Sequence, residues 1–411
     1  MESKGARPVR SVFLLILLKN VFGQNSTISS NTSINPGRVF YNFTGITRSN
    51  GYLSEEHTLV TEDGYILTIY RIPKGRRCFG PVRQTPVLLM PGFVVDSDSW
   101  LDAGPSSSLV YLLADACYDT WAGNVRGTEY GRRHVILNPD TDSQFWDFST
   151  HEIGKFDVPA TIDYILNKTR SNALNFIGFS QGAGILYITC SETNACEKVK
   201  VFINIAPGVR LKYFRSLPLR LYIKFYTLIF PILKRPEELE VLPRGGIIQS
   251  LASIICKDNF FAATLCKAAL FLIDSYDPGS ILTETVKTLY GHTPAGSSAK
   301  TIAFYGQNMD SFNKYDYGPD RNLELYGSTV PPAYRLNRTS MPTVFFYGRN
   351  DFVADPRDVK WLASQLPNVA EVYEVRRPTW NHLDNTYSQF IKQLLFPKVN
   401  EYLLKYSSRN N

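Results

Sequence analysis

Leu174-Asn175-Phe176-Ile177-Gly178-Phe179-Ser180-Gln181-Gly182-Ala183-Gly184 decides how the rest of this 411-residue chain is read. The run Leu174 to Phe179 has the length and apolar character of a buried strand, and Ala183 to Thr189 reads as the helix after it. Between them, Gly178 to Gly182 matches G-x-S-x-G. A turn from strand to helix in so few residues presents the serine hydroxyl at the end of a sheet. It also forces strained backbone angles, so small residues must flank the serine. Ser180 is therefore the candidate nucleophile.

Working outward, the segments before the elbow alternate between strand and helix. His57 to Thr61 and Tyr65 to Ile72 form strand–turn–strand, and Pro86 to Met90 is a continuous apolar strand that ends at Pro91-Gly92. Ser107 to Ala116 reads as a helix, Tyr118 to Ala122 as a strand and Phe156 to Leu166 as a helix. After the elbow comes the strand Val199 to Ile205. This rhythm predicts a mostly parallel sheet covered by helices on both faces. Residues 210–336 break it, being helical, loop-rich and punctuated by Pro218, Pro231, Pro236 and Pro243. Strands resume at Pro342 to Tyr347 and Glu371 to Val375. The predicted organisation is one α/β core in two parts, 24–209 and 337–411, with a helical cap inserted at 210–336.

A serine nucleophile needs a base and an orienting acid. Of five histidines only His292 and His382 follow Ser180. His292 falls in the cap, whereas His382 follows the last strand, where a loop returns to the carboxyl edge of the sheet. His382 is the predicted base. Asp351, Asp355 and Asp358 follow the strand Pro342 to Tyr347. Asp355-Pro356-Arg357-Asp358 reads as a helix start, with Asp355 as cap, which gives those two carboxylates structural work. Asp351, in the turn directly beyond the strand, is the predicted acid. Two backbone N–H groups should face the oxyanion, those of Gln181 and Phe93; Pro91 has none to give.

The amino terminus carries Lys4, Arg7 and Arg10, then the apolar run Val12 to Leu18, then Val21 and Gly23, and reads as a signal peptide over residues 1–23. The run Leu219 to Leu233 is interrupted by Arg220, Lys224 and Pro231 and is no membrane span. Asn25, Asn31, Asn42, Asn167 and Asn337 begin N-x-S/T sequons, glycosylation sites for a secreted or lysosomal chain. Cys256 and Cys266, close in sequence, are an expected disulfide, and Cys190 and Cys196 form a second close pair. Cys78 and Cys117 stand alone as expected free thiols. With no C-x-x-C or H-E-x-x-H, no metal or other cofactor is expected. A net charge of +7, without a dense basic run, excludes nucleic acid as the partner.

Taken together, Asn50-Gly51-Tyr52 with Thr61-Glu62-Asp63-Gly64-Tyr65, Gly123-Asn124-Val125-Arg126-Gly127, Gly178 to Gly182, Pro294-Ala295-Gly296, Asp351 with Ala354-Asp355, and Asn381-His382-Leu383-Asp384 resemble the acid lipase family. That family includes lysosomal acid lipase, gastric lipase and the insect lipases called lipase 3. The resemblance implies an α/β-hydrolase with a helical cap that hydrolyses lipid esters, triacylglycerols or sterol esters. The apolar runs Leu219 to Leu233, Ile247 to Ile255 and Phe260 to Ile273 point to an oil–water interface as the place of action. The resemblance maps the triad onto Ser180, Asp351 and His382 and the family's cap disulfide onto Cys256 and Cys266. The chain departs from the family at Phe179, where His is usual, and at Pro91-Gly92-Phe93, where His-Gly-Leu is usual. Peripheral contact with a lipid surface is expected. The alternative function is a non-catalytic lipid carrier on the same fold.

Overall fold

The structure, a computed structural model, describes residues 42–246, 249 and 260–407. The leader 1–23, Asn25, Asn31 and Cys256 lie outside those residues. The described chain opens with helix α1, Phe43–Ser49, capped by the Asn42 side chain, which accepts from the Gly45 N–H. Strands β1 (Glu55–Val60) and β2 (Tyr65–Ile72) form an antiparallel hairpin. Then follow β3 (Arg83–Met90), α2 (Leu109–Asp115), β4 (Tyr118–Ala122), α3 (Val158–Thr169), β5 (Leu174–Phe179), α4 (Gln181–Glu192) and β6 (Val199–Ile205). Away from the sheet, α5 (Leu217–Ile229), α6 (Phe260–Ile273), α7 (Thr283–His292), α8 (Ala299–Gln307) and α9 (Pro319–Tyr326) occupy the segment expected as a cap. The chain returns through β7 (Thr343–Tyr347), α10 (Pro356–Ser364), β8 (Val369–Glu374) and α11 (Phe396–Ser407).

The strands lie in the order β1-β2-β4-β3-β5-β6-β7-β8, with Arg133–His134 pairing antiparallel to β2. From β4 to β8 every neighbouring pair is parallel. Parallel strands need a crossover for each connection, and the crossovers cover both faces, so central strands bury every side chain. All six residues of β5 are buried, as are all five of β7. The register pairs Met90 with Gly178, Phe179 with Ile205, Ile205 with Phe346 and Tyr347 with Glu374. The carboxyl ends of β3, β5, β7 and β8 therefore lie along one edge of the sheet. Phe93, Ser180 with Gln181, Asp351 and His382 follow the ends of β3, β5, β7 and β8 in turn.

Cys78 and Cys117, expected to be free, are bonded to each other, with Cα atoms 5.0 Å apart. The parallel pairing of β3 with β4 explains this: Arg83 pairs with Tyr118, which brings the chain just before each strand together. Cys190 and Cys196 are also bonded. Cys266 is disulfide-bonded too. Asn42, Asn167 and Asn337 are all exposed. Helix α3 begins at Val158, two residues after the expected Phe156, because Ile153–Asp157 form a single π-helical turn. No helix of the described residues is long and apolar enough to cross a membrane.

Candidate active site

Ser180 sits on the turn between β5 and α4 with φ 54° and ψ −116°, a region that L-residues seldom occupy. Surrounding hydrogen bonds hold it there. Its N–H donates to the Ile205 carbonyl at 3.0 Å, and its own carbonyl accepts from Ala183, Gly184 and Gly208. The flanking glycines are required by space: a Cβ on Gly182 would lie 2.2 Å from the Met90 carbonyl oxygen, and one on Gly178 2.5 Å from the Gly182 oxygen. The G-x-S-x-G spacing is thus a packing requirement of α4 against the end of β3.

The loop after β7 brings Asp351, and the loop after β8 brings His382. Ser180 Oγ is 2.9 Å from His382 Nε2, and His382 Nδ1 is 2.9 Å from Asp351 Oδ2. An ionised carboxylate can only accept, so the imidazole proton belongs on Nδ1 and Nε2 is left to accept from the serine hydroxyl. The other Asp351 oxygen accepts from the N–H groups of Val353 (2.8 Å) and Ala354 (2.6 Å), which fix its orientation. Burial disfavours the His382 imidazolium, but the Asp351 charge and hydrogen bond outweigh it and raise the pKa. This arrangement can draw a proton from Ser180 and stabilise the cation that results.

Asp355 and Asp358 have the structural work expected of them. Asp355 caps α10 through the Arg357 N–H at 3.0 Å, and Asp358 holds Arg210 at 2.7 Å and the Tyr213 N–H at 2.8 Å. His292 is bound to Asp102 at 3.0 Å instead of joining Ser180. Phe93 is half-buried, edge-on to Tyr305 with ring centres 5.7 Å apart, and Gln181 is the buried first residue of α4. A Cβ on Gly92 would come within 3.3 Å of the Ser180 Cβ, so the Gly92-Phe93 backbone runs directly beside the serine. Phe179 lies against His382, with ring centres 4.9 Å apart, and meets Trp100 edge-on at 6.3 Å.

Ser180 opens into a cavity of about 430 Å³ walled by apolar side chains, among them Leu211, Leu219, Ile223, Leu270 and Val353. Its size suits a lipid chain or another apolar ligand. One polar residue at the site was missed in the sequence. Asp274, the residue after α6, is buried and accepts from the main-chain N–H groups of Phe352, His382 and Leu383. Its only sequence signal is a carboxylate that closes the apolar run Phe260–Ile273.

Residues 43–104 match a family described as a partial α/β-hydrolase lipase region, and residues 85–222 match the α/β hydrolase fold family. Gastric triacylglycerol lipase of Homo sapiens is 36% identical over 342 residues, 81% of this chain and 83% of that protein. Lipase member K of Homo sapiens is 33% identical over 90% of this chain and 91% of its own length. Lipase 1 of Drosophila melanogaster is 36% identical over 86% and 78% of the two chains. Among solved structures, a soluble variant of monoglyceride lipase from Saccharomyces cerevisiae superposes with a TM-score of 0.53 at 14% identity, covering 86% of this chain and 98% of that one. That likeness shows the fold, and the relatives at 33–36% identity show the lineage. The chain belongs to the acid lipase family of α/β-hydrolases and is a carboxylic ester hydrolase.

Proposed function

We propose that this chain is a secreted or lysosomal lipase that cleaves long-chain lipid esters, triacylglycerols or sterol esters, through an acyl-enzyme on Ser180. As His382 Nε2 takes the hydroxyl proton, Ser180 Oγ bonds to the ester carbonyl carbon. The negative charge on the carbonyl oxygen is met by the N–H groups of Gln181 and Phe93. Collapse breaks the bond from carbon to the alcohol oxygen, and the alcohol leaves with the proton from His382. Water then gives a proton to His382 and attacks the acyl carbon. The bond to Ser180 Oγ breaks, the proton returns to the serine, and the fatty acid leaves. The single observation that carries this reading is the 2.9 Å contact between Ser180 Oγ and His382 Nε2 at the wall of an apolar cavity.

Helix α5 supports a lipid surface as the site of action. Leu219, Tyr222 and Ile223 face the cavity, yet Leu217, Leu221, Phe225 and Leu228 on the same helix are exposed, Leu228 at 79%. A helix apolar on both faces is ordinarily buried on both. Here one apolar face is turned to solvent, with Arg220 and Lys224 beside it, the pattern of a helix that lies on a lipid–water boundary. The disulfides among the described residues accord with export through an oxidising compartment.

A panel of dissolved short-chain esters, emulsified triacylglycerol and sterol ester, run with the unmodified chain and Ser180→Ala, tests the mechanism. The unmodified chain should release fatty acid from the long-chain esters, and a phosphonate ester should form one adduct, on Ser180. Full activity of Ser180→Ala would remove the mechanism. Lipid binding without turnover by the unmodified chain would favour a carrier instead.

A further inference from the structure

The loops that carry Asp351 and His382 are joined by a third segment, which comes from the helical insertion. After α6, the four residues Asp274 to Asp277 lie across both loops. Ser275 Oγ donates to the Asn350 carbonyl at 2.5 Å, and the Ser275 carbonyl accepts from Asn381 Nδ2 at 2.7 Å. Asp277 accepts from Arg377 at 2.6 and 2.7 Å and from Thr379 Oγ1 at 2.8 Å. Asp274 makes the deepest of these contacts and is 3% exposed. Its Oδ1 accepts from Phe352 N–H at 3.0 Å, and its Oδ2 from His382 N–H at 2.6 Å and Leu383 N–H at 3.2 Å. Successive N–H groups of the acid loop are therefore shared between two carboxylates: that of Phe352 goes to Asp274, and those of Val353 and Ala354 go to Asp351.

We propose that Asp274 is a positioning residue for the reaction, holding the acid loop and the base loop in register from the cap side and adding a second negative charge behind the His382 imidazole. This rests on the reading of Ser180, His382 and Asp351 as the triad. The geometry explains why a carboxylate stands here. Three main-chain donors from two loops converge on one point, the buried His382 N–H among them, and an apolar residue would leave all three without this acceptor. An acceptor with two oxygens serves both loops at once. It also ties the active form of the triad to a seated α6, so the base is aligned only while the insertion is in place.

The titratable groups that face Asp274 are Asp351, from the loop after β7, and His382, from the loop after β8; Arg215, before α5, holds the Asp351 main-chain carbonyl at 2.7 Å. Those that face His382 are Asp351 and Asp274, while Phe179 closes another side with an apolar ring. Burial, with Asp351 nearby, pushes the Asp274 carboxyl up to about 6, so it changes charge within the acid range.

The test is Asp274→Asn, assayed on a dissolved short-chain ester with active sites counted by phosphonate labelling. The kcat should fall about tenfold, because small misalignments of reacting groups are costly, while KM stays within about twofold. The acid limb of kcat/KM should move to lower pH by roughly half a unit to one unit, because a charge that favoured the imidazolium has gone. Asp274→Ser makes the same comparison if the Asn form does not fold. Activity within about twofold of the unmodified chain overturns the proposal, and so does a lower kcat with the acid limb unmoved, which would leave Asp274 with packing alone. Ser180→Ala separates the two levels of the argument: if it retains activity the triad reading fails, whatever Asp274→Asn does.

Discussion

Gly182→Ala tests the elbow and the oxyanion donors together. In the structure an added Cβ would stand 2.2 Å from the Met90 carbonyl oxygen and 2.5 Å from that of Pro91, and contacts under 3.0 Å are essentially never seen. Both obstructing atoms are backbone, so no side chain can swing aside. The end of β3 and the first turn of α4 must part by roughly 1 Å, a displacement that typically costs about a hundredfold in rate when it misaligns reacting groups. The parting surfaces are those that carry the two proposed donors, Phe93 just beyond β3 and Gln181 at the start of α4. Losing one such donor alone costs about 10² to 10³ in kcat. We therefore expect kcat on a dissolved short ester to fall by about two orders of magnitude. The strain should also cost about 1–3 kcal/mol of stability. Counting active sites with a phosphonate separates lost protein from lost turnover. Gly80→Ala, where a Cβ meets nothing within 4 Å, is the control and should be neutral. A kcat within about threefold of the parent in folded Gly182→Ala protein would refute this account of the elbow.

Other outcomes follow from separate parts of the molecule. Burial works against the His292 imidazolium, but Asp102 and Asp98 raise its pKa to about 9, so its stabilisation is full below about pH 6.5 and is lost as pH rises through about 9. The melting temperature should fall across that window by the equivalent of at most about 3 kcal/mol, and His292→Gln should remove most of the slope. The Cys78–Cys117 bridge spans 39 residues and Cys190–Cys196 only 6, so loop entropy assigns them about 4 and 2 kcal/mol. Paired Cys→Ser changes should lower the melting temperature more at the first bridge, and equal losses would count against the entropic account. Leu221→Ser with Leu228→Ser should cut hydrolysis of emulsified long-chain ester several-fold, given about 25 cal/mol per Å² of apolar area. The rate on dissolved short ester should be unchanged, and a parallel loss on both would argue that α5 serves only as packing.

Much of the core was legible because each cue was local. The apolar runs at Pro86 to Met90, Leu174 to Phe179 and Val199 to Ile205 lie in strands β3, β5 and β6. Strands buried on both faces leave little room for polar residues. The elbow was legible because its glycines answer to contacts within a few residues and with one neighbouring strand. What was not legible depended on register. Cys78 and Cys117 meet because β3 and β4 pair in parallel with Arg83 opposite Tyr118, a fact that no spacing rule contains. The start of α3 slipped for a similar reason. The π turn Ile153–Asp157 disturbs the helical period and turns Asp157 toward Arg126, whose Nε it accepts at 2.8 Å. Asp274 was hidden because its partners are main-chain N–H groups, which every sequence offers everywhere.

Phe179 and Asp274 together give the unusual neighbourhood of the base a physical reading. The chain departs from the acid-lipase pattern in having Phe179, not histidine, before the nucleophile, and its ring packs on His382. A second imidazole would add a donor, an acceptor and a variable charge beside the base. Phenylalanine adds none of these, and with the buried Trp100 edge-on behind it, that side of the base is walled by apolar rings. Low polarity strengthens whatever charges remain. Those charges are the two carboxylates, Asp351 on the ring nitrogen and Asp274 behind the main chain. The basicity of His382 thus follows from opposed effects, burial against paired negative charge. One of the two carboxylates comes from the sheet and the other from the helical insertion. On the proposed reading of Ser180, His382 and Asp351, such a site is complete only when both parts of the chain are in place, a condition that suits an enzyme whose insertion meets the substrate surface.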